Sequence, residues 1–154
     1  MRRIVIDANT LASGSVEPNG TSPPCLLLSE LEEMRFEAIV CPELMGEITE
    51  TLHKPYFVDR IGERTVEDIL TGITDTCTMR EDPAEIETIL RDPEDDYLVA
   101  LARNAKADFI VTGDKDLLDH IDLQPPAINA RDACERLGLI EPDDDHKDST
   151  PNDP

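Results

Sequence analysis

The chain has 154 residues, which is the usual size of one domain and is enough to bury a sizeable core. It carries 35 acidic and 14 basic residues, so that its formal net charge is −21. This balance argues against a protein that binds nucleic acid through a broad basic surface. The surplus of acids indicates a halophilic protein, one that works at high salt, because salt strongly screens the repulsion between these charges.

The cysteines and the N-terminus indicate the compartment. Cys25, Cys41, Cys77 and Cys134 are scattered, without the close spacing of metal ligands, and are expected to be small buried thiols in a reducing compartment. The apolar run after Arg3 is too short for a signal peptide, and no stretch is long enough to span a membrane. We therefore expect a cytoplasmic protein with no membrane partner.

Apolar residues at strand and helix spacing predict ten elements along the chain. In order they are a strand at 2–7, a helix at 23–36, a strand at 37–41, helices at 42–54 and 62–73, a strand at 76–80, a helix at 95–107, strands at 108–112 and 127–129, and a helix at 131–139. Strands that alternate with helices in this way predict a parallel sheet with helices on both faces. Residues 141–154 are polar and rich in Asp and Pro, so we expect one domain at 1–140 followed by an acidic disordered tail.

Several acids fall where the predicted strands end or where the neighbouring helices begin. They are Asp7, Glu47, Asp95, Asp96 and Asp114. In open α/β sheets, ligands bind at the carboxyl ends of the strands, so these side chains are expected to form one acidic pocket. Carboxylate oxygens suit Mg²⁺ or Mn²⁺, and the chemistry natural to such a pocket is metal-assisted attack of water on a phosphodiester.

Each of these acids also has a purely structural interpretation. Asp7 and Asp114 are typical turn residues, Asp95 and Asp96 are suited to capping a helix N-terminus, and Glu47 is an ordinary solvated helix residue. The residues by themselves leave both interpretations open, because a chain this acidic places acids at strand ends by chance.

Three segments carry a family resemblance: "IVIDANTLASG", "CPELMGEITETLHKPYF" and "RDPEDDYLVALARNAKADFIVTGDKDLL". Together they resemble a PIN-domain protein, and in particular the toxin components of toxin–antitoxin systems related to the VapC-type ribonucleases. The resemblance covers roughly residues 2 to 138, and the third segment is its most specific part. It implies a three-layer α/β/α sandwich with a parallel sheet.

The resemblance also implies a site and a reaction. A quartet of acids would bind Mg²⁺ or Mn²⁺ and cleave RNA to leave a 3′-hydroxyl and a 5′-phosphate. The implied catalytic and metal-binding residues are Asp7, Glu47, Asp96 and Asp114, with Asn9, Thr112, Asp116 and Asp95 in supporting positions. A helical wheel places Asp95 nearer the apolar stripe of its helix, but Asp96 has the family spacing of eighteen residues to Asp114, and we therefore predict that Asp96 is the third acid.

The resemblance further implies a cognate antitoxin protein, an RNA substrate and a homodimer. The chain departs from the family in having few Lys and Arg residues with which to hold RNA. An alternative is a non-catalytic PIN domain that acts as an RNA- or protein-binding module.

Two other folds also cluster acids at strand ends. A phosphotransfer receiver needs a pair of acids at its first strand, where this chain has only Asp7, and a haloacid-dehalogenase phosphatase needs an Asp where this chain has Asn9.

Overall fold

Five parallel strands form the sheet at the centre of the protein, in the order β3-β2-β1-β4-β5. The computed structural model describes residues 1–17 and 19–142. The strands are β1 (Arg3–Ile6), β2 (Glu37–Val40), β3 (Thr78–Met79), β4 (Phe109–Val111) and β5 (Ala127–Ile128). The middle strand β1 is fully buried at Ile4 and Val5, as expected of a parallel strand that is covered on both faces.

Eight α-helices surround the sheet in the described residues. They are α1 (Ala8–Ser15), α2 (Pro23–Glu32), α3 (Pro42–Leu52), α4 (Pro55–Ile61), α5 (Glu63–Thr76), α6 (Asp96–Asn104), α7 (Lys115–Leu118) and α8 (Ala130–Arg136), and a 3₁₀ turn at Pro93–Asp95 precedes α6. Three of the helices begin with proline, whose missing N–H is not needed in the first turn. The structure is an α/β/α sandwich, and the predicted parallel sheet with helices on both faces is confirmed.

Helix α6 is the most deeply buried helix in the described part of the chain. All residues from Asp96 to Ala102 are buried, and the helix packs on β1 and β4. On another side, α1 packs on both α2 and α3, and α2 packs on α8. The core is continuous across these contacts, so the ends of β1 and β4 are held firmly between helices.

Three helices, α1, α4 and the single-turn α7, were not predicted from the sequence. Helix α1 contains Asn9, Thr10 and Gly14, which favour helices weakly, and its apolar residues are few; it forms because Asp7 caps it and because it packs on two other helices. Helix α4 is short and rich in aromatic and branched residues, and Gly62, with a φ of +85°, separates it from α5.

The remaining sequence predictions concern the cysteines and the termini. All four cysteines are free, three of them are buried, and burial raises the pKa of Cys41, Cys77 and Cys134 to about 11. These thiols therefore stay protonated. In the described residues, no helix is both long enough and apolar enough to cross a membrane. The predicted tail at 141–154 lies outside the described residues from residue 143 onward.

Gly14 allows α1 and α2 to approach closely, and this contact can be tested by substitution. A Cβ at Gly14 would lie 2.4 Å from the carbonyl oxygen of Pro24, so we expect Gly14→Ala to lower the free energy of unfolding by about 1–3 kcal/mol, as overpacking does. Gly72 in α5 is a matched control, because a Cβ there meets no atom within 4 Å. We expect Gly72→Ala to raise stability by about 0.5–1 kcal/mol in the same urea titration, and equal effects of the two variants would contradict the packing.

Candidate active site

A cleft of about 750 Å³ opens where β1 and β4 end. Its walls come from these strand ends, from α1 and α3, and from the turn that precedes α6. Six carboxylic acids line it: Asp7, Glu47, Glu50, Glu94, Asp95 and Asp114. Lys54 is the one basic residue among the described residues that form its lining. The cleft lies at the edge of the sheet where open α/β proteins bind ligands, which makes it the candidate site.

The hydroxyl group of Thr112 joins the ends of the two central strands. Thr112 is buried, donates a hydrogen bond to Oδ2 of Asp7 at 2.6 Å, and accepts one from the backbone N–H of Asp114 at 3.0 Å. The other oxygen of Asp7 accepts the N–H of Thr10 at 2.8 Å and caps α1. Asp114 caps α7 by accepting the N–H of Asp116 at 2.9 Å. Both acids are therefore caps and cleft residues at once.

The structure corrects the prediction for the third acid. Asp96 does not line the cleft: it is 2% exposed, and its Oδ1 accepts the backbone N–H groups of Leu90 at 2.8 Å and Ile89 at 3.3 Å. Asp95, at the end of the 3₁₀ turn, lines the cleft instead. Helical side chains tilt toward the N-terminus of their helix, so the first residue of α6 reaches back to the preceding loop. The sequence spacing between Asp96 and Asp114 could not reveal the 3₁₀ turn that places Asp95 in the cleft.

Helix α3 and the residue pair after it present one polar face to the cleft. Glu50, Thr51 and Lys54 lie three, four and seven residues after Glu47, which places all four on the same side of a helix. The sequence analysis selected only Glu47. The same spacing rule applied forward from Glu47 would have found Glu50 and Lys54. Nothing in the local pattern distinguishes Glu94, which lines the cleft from the turn before α6.

The predicted supporting residues are divided between the cleft and its surroundings. Asn9 is exposed and lines the cleft. Asp116 lies outside the lining, where its Oδ2 accepts the N–H of Asp92 at 3.1 Å and its Oδ1 lies 3.7 Å from Nε of Arg91. Asp116 thus ties α7 to the loop that leads to Asp95.

Asp95 and Asp114 form the electrostatic centre of the cleft. Burial, together with a hydrogen bond to Asp114 and its negative charge, raises the pKa of Asp95 from 3.8 to about 7, and Glu47 and Asp92 add to the effect. Two carboxyl groups this close favour sharing a proton over ionising together. The protein therefore holds unbalanced negative charge at this point.

The chemistry of the cleft fits a hard divalent cation. Asp7, Glu47, Asp95 and Asp114 supply carboxylate oxygens, and Mg²⁺ needs only one or two of these because it keeps several waters. A cation would also relieve the repulsion that raises the pKa of Asp95. In the described residues, no three acidic, histidine or cysteine side chains lie close enough to hold one ion. An ion held here would therefore use one or two of the carboxylates and complete its coordination with water.

Comparison with known proteins identifies the family. The model of the PIN domain matches residues 3–116, and the chain therefore belongs to the PIN-domain family, whose members are generally nucleases. The crystal structure of PAE2754 from Pyrobaculum aerophilum has a similar fold, with a TM-score of 0.64 over 90% of this chain and 97% of that chain, at 16% sequence identity. Among curated proteins, none matches this chain.

The raised pKa of Asp95 predicts a pH-dependent loss of stability in the metal-free protein. Because the folded protein binds this proton more tightly than the unfolded chain, the contribution of Asp95 is complete below about pH 4 and is lost as the pH rises to about 7. We expect Asp95→Asn to remove this loss of stability. In EDTA, the difference in Tm between the variant and the wild type should grow from about pH 4 to about pH 7 and then stay constant, with the variant more stable.

The exposed Asp68 of α5 provides the control for this measurement. Asp68→Asn should show a margin that does not change over the same pH range, and Mn²⁺ should narrow the margin of Asp95→Asn. A constant margin for Asp95→Asn would contradict the arrangement of Asp95 and Asp114.

Proposed function

We propose that the protein is a divalent-metal-dependent endoribonuclease whose site is formed by Asp7, Glu47, Asp95 and Asp114. The observation that carries the proposal is the convergence of these four acids in one cleft at the ends of β1 and β4. The membership of the PIN-domain family supports a nuclease reaction. Asp95 replaces Asp96 as the third acid for the geometric reason given above.

The chain's own groups have distinct tasks in this function. Thr112 fixes Asp7 with one hydrogen bond and the backbone of Asp114 with another, so that the two strand ends keep a constant separation. A bound Mg²⁺ or Mn²⁺ would activate a water molecule and stabilise the charge that develops on the phosphate. Asp7, Glu47, Asp95 and Asp114 would hold this ion.

Lys54 is suited to receive the phosphate. It is exposed at the rim of a cleft that six carboxylates line, where RNA would otherwise meet only negative charge. An ammonium group attracts a phosphate as a compact point charge. Lys54 therefore partly compensates for the small number of basic residues in the chain.

Substitution of the acids tests the nuclease function. We expect Asp7→Asn and Asp95→Asn to lower kcat for RNA cleavage with Mn²⁺ by more than about a hundredfold, since the loss of outer-shell partners alone costs about 10- to 100-fold. Both variants should remain folded, because Asn keeps the shape and a hydrogen-bonding oxygen. The control Asp68→Asn should cleave as the wild type does. Cleavage by Asp7→Asn at the wild-type rate would refute the proposed reaction.

Asp96 should behave differently from Asp95 in the same series. Asp96→Ala leaves the buried N–H of Leu90 without its acceptor, which costs about 1–3 kcal/mol of stability. Asp95→Ala leaves no such group behind. We expect Asp96→Ala to have a lower Tm, and we expect Asp95→Ala to lose RNA cleavage without a lower Tm. The reverse pattern would identify Asp96 as the third acid of the site.

The biological role that we propose is that of a toxin in a toxin–antitoxin pair, acting as a homodimer and inhibited by an antitoxin that covers the cleft. The resemblance to the VapC-type ribonucleases supports this role. Sequencing the neighbouring gene tests it, since a small adjacent reading frame with a DNA-binding pattern is expected. If the protein binds RNA but does not cleave it with any divalent metal tested, a non-catalytic binding module would be favoured instead.

The charge of the chain predicts an unusual response to salt. With a net charge of −21, repulsion within the protein and toward RNA should weaken as KCl shortens the Debye length from about 10 Å at 0.1 M to about 3 Å at 1 M. We expect both Tm and the rate of RNA cleavage at fixed Mn²⁺ to rise over this range, opposite to the usual loss of nucleic-acid binding with salt. A steady fall of both quantities would reject the halophilic character while leaving the metal site in place.

A further inference from the structure

Tyr97 connects the buried core to the wall of the cleft. Its side chain is among the largest fully buried ones, on helix α6, two residues after Asp95. Its hydroxyl group donates a hydrogen bond of 2.5 Å to Oε1 of Glu47 on α3, fifty residues away in sequence. Helix α6 thus has one cleft acid, Asp95, at its N-terminus and contacts a second one, Glu47, through Tyr97.

The contact restricts Glu47 in a specific way. Oε1 of Glu47 is engaged by the phenol, and among the described residues no hydrogen-bond donor contacts Oε2. Glu47 is a flexible side chain on a half-exposed helix face, and ordering such a side chain costs conformational entropy. A rigid phenol that is fixed in the core removes this freedom before any ligand arrives.

The phenol has one O–H donor, and that donor is directed at Glu47. A buried hydroxyl group needs some acceptor, and a backbone carbonyl would satisfy that need equally well. Here the acceptor is a carboxylate that lines the cleft, which gives the contact a consequence for the site.

We propose that Tyr97 is a positioning residue that holds Glu47 in one orientation, with Oε1 occupied and Oε2 left for the ligand of the cleft. This inference rests on the proposed function insofar as that ligand is a divalent ion. It adds to the site a residue that contacts neither the ion nor the RNA and that acts only through Glu47.

The first test measures Glu47 in the metal-free protein. Side-chain NMR couplings of Glu47 should report one rotamer in the wild type and rotamer averaging in Tyr97→Phe, which keeps the ring in the core and removes only the hydroxyl group. This measurement does not depend on metal binding or RNA cleavage, so a failure of the proposed function would leave its result intact. Rotamer averaging already present in the wild type would overturn the inference.

The second test measures Mn²⁺ binding without RNA, by titration followed with electron paramagnetic resonance. We expect Tyr97→Phe to raise the Kd for Mn²⁺ about tenfold, at the lower end of the effect of outer-shell partners. The other tyrosine of the chain, the exposed Tyr56, gives the matched control, and Tyr56→Phe should bind as the wild type does.

A double variant separates positioning from a general effect on the fold. If Tyr97 acts through Glu47, Tyr97→Phe should change the Kd little when it is added to Glu47→Gln, since the carboxylate it orients is already gone. A tenfold loss that persists in the Glu47→Gln protein, or an unchanged Kd in the single variant, would overturn the inference. The Tm of each variant checks that the fold is retained.

Discussion

The parallel pairing of β1 with β4 is the constraint on which the candidate site depends. The pairing continues one residue beyond the strand, where the N–H of Asp7 donates to the carbonyl of Val111 at 3.0 Å. This bond places Asp7 beside Thr112, whose buried hydroxyl group then joins it to the backbone of Asp114. Two acids that are more than a hundred residues apart in sequence thereby share one edge of the sheet, and the apolar side chains of both strands hold that edge rigid.

The helices complete the site by bringing further negative charge to this edge. Helix α3 contributes Glu47, and the turn before α6 contributes Asp95, which meets Asp114 closely enough to raise its pKa to about 7. Such a cluster opposes folding in the absence of a cation, and the buried strands and α6 offset that cost. In the proposed function, this local loss of stability is the cost of a cleft in which like charges meet.

The sequence was sufficient for the sheet and for the expectation that Asp7, Glu47 and Asp114 line one cleft, and what it missed has physical causes. Strong apolar runs revealed β1, β2 and β4, because burial on both faces leaves little choice of residue. Helix α1 was missed since its stability comes from packing and from the cap at Asp7 rather than from its own residues. Asp96 was preferred to Asp95 since residue spacing carries no information about a 3₁₀ turn, and the contact of Tyr97 with Glu47 is invisible without the fold because fifty residues separate them.

The connection between β3 and α6 has a consequence for the motion of the protein. Residues 80–92 form neither helix nor strand. At the far end of this segment, the N–H groups of Ile89 and Leu90 donate to Asp96, and the N–H of Asp92 donates to Asp116. A segment held mainly by side-chain contacts rather than by a strand ladder opens at a lower free energy than the sheet, so its amide hydrogens should exchange with solvent without global unfolding. Asp92, the last residue of this segment, accepts the N–H of Glu94 in the turn that carries Asp95, so each opening would loosen one wall of the cleft from a loop that lies outside it.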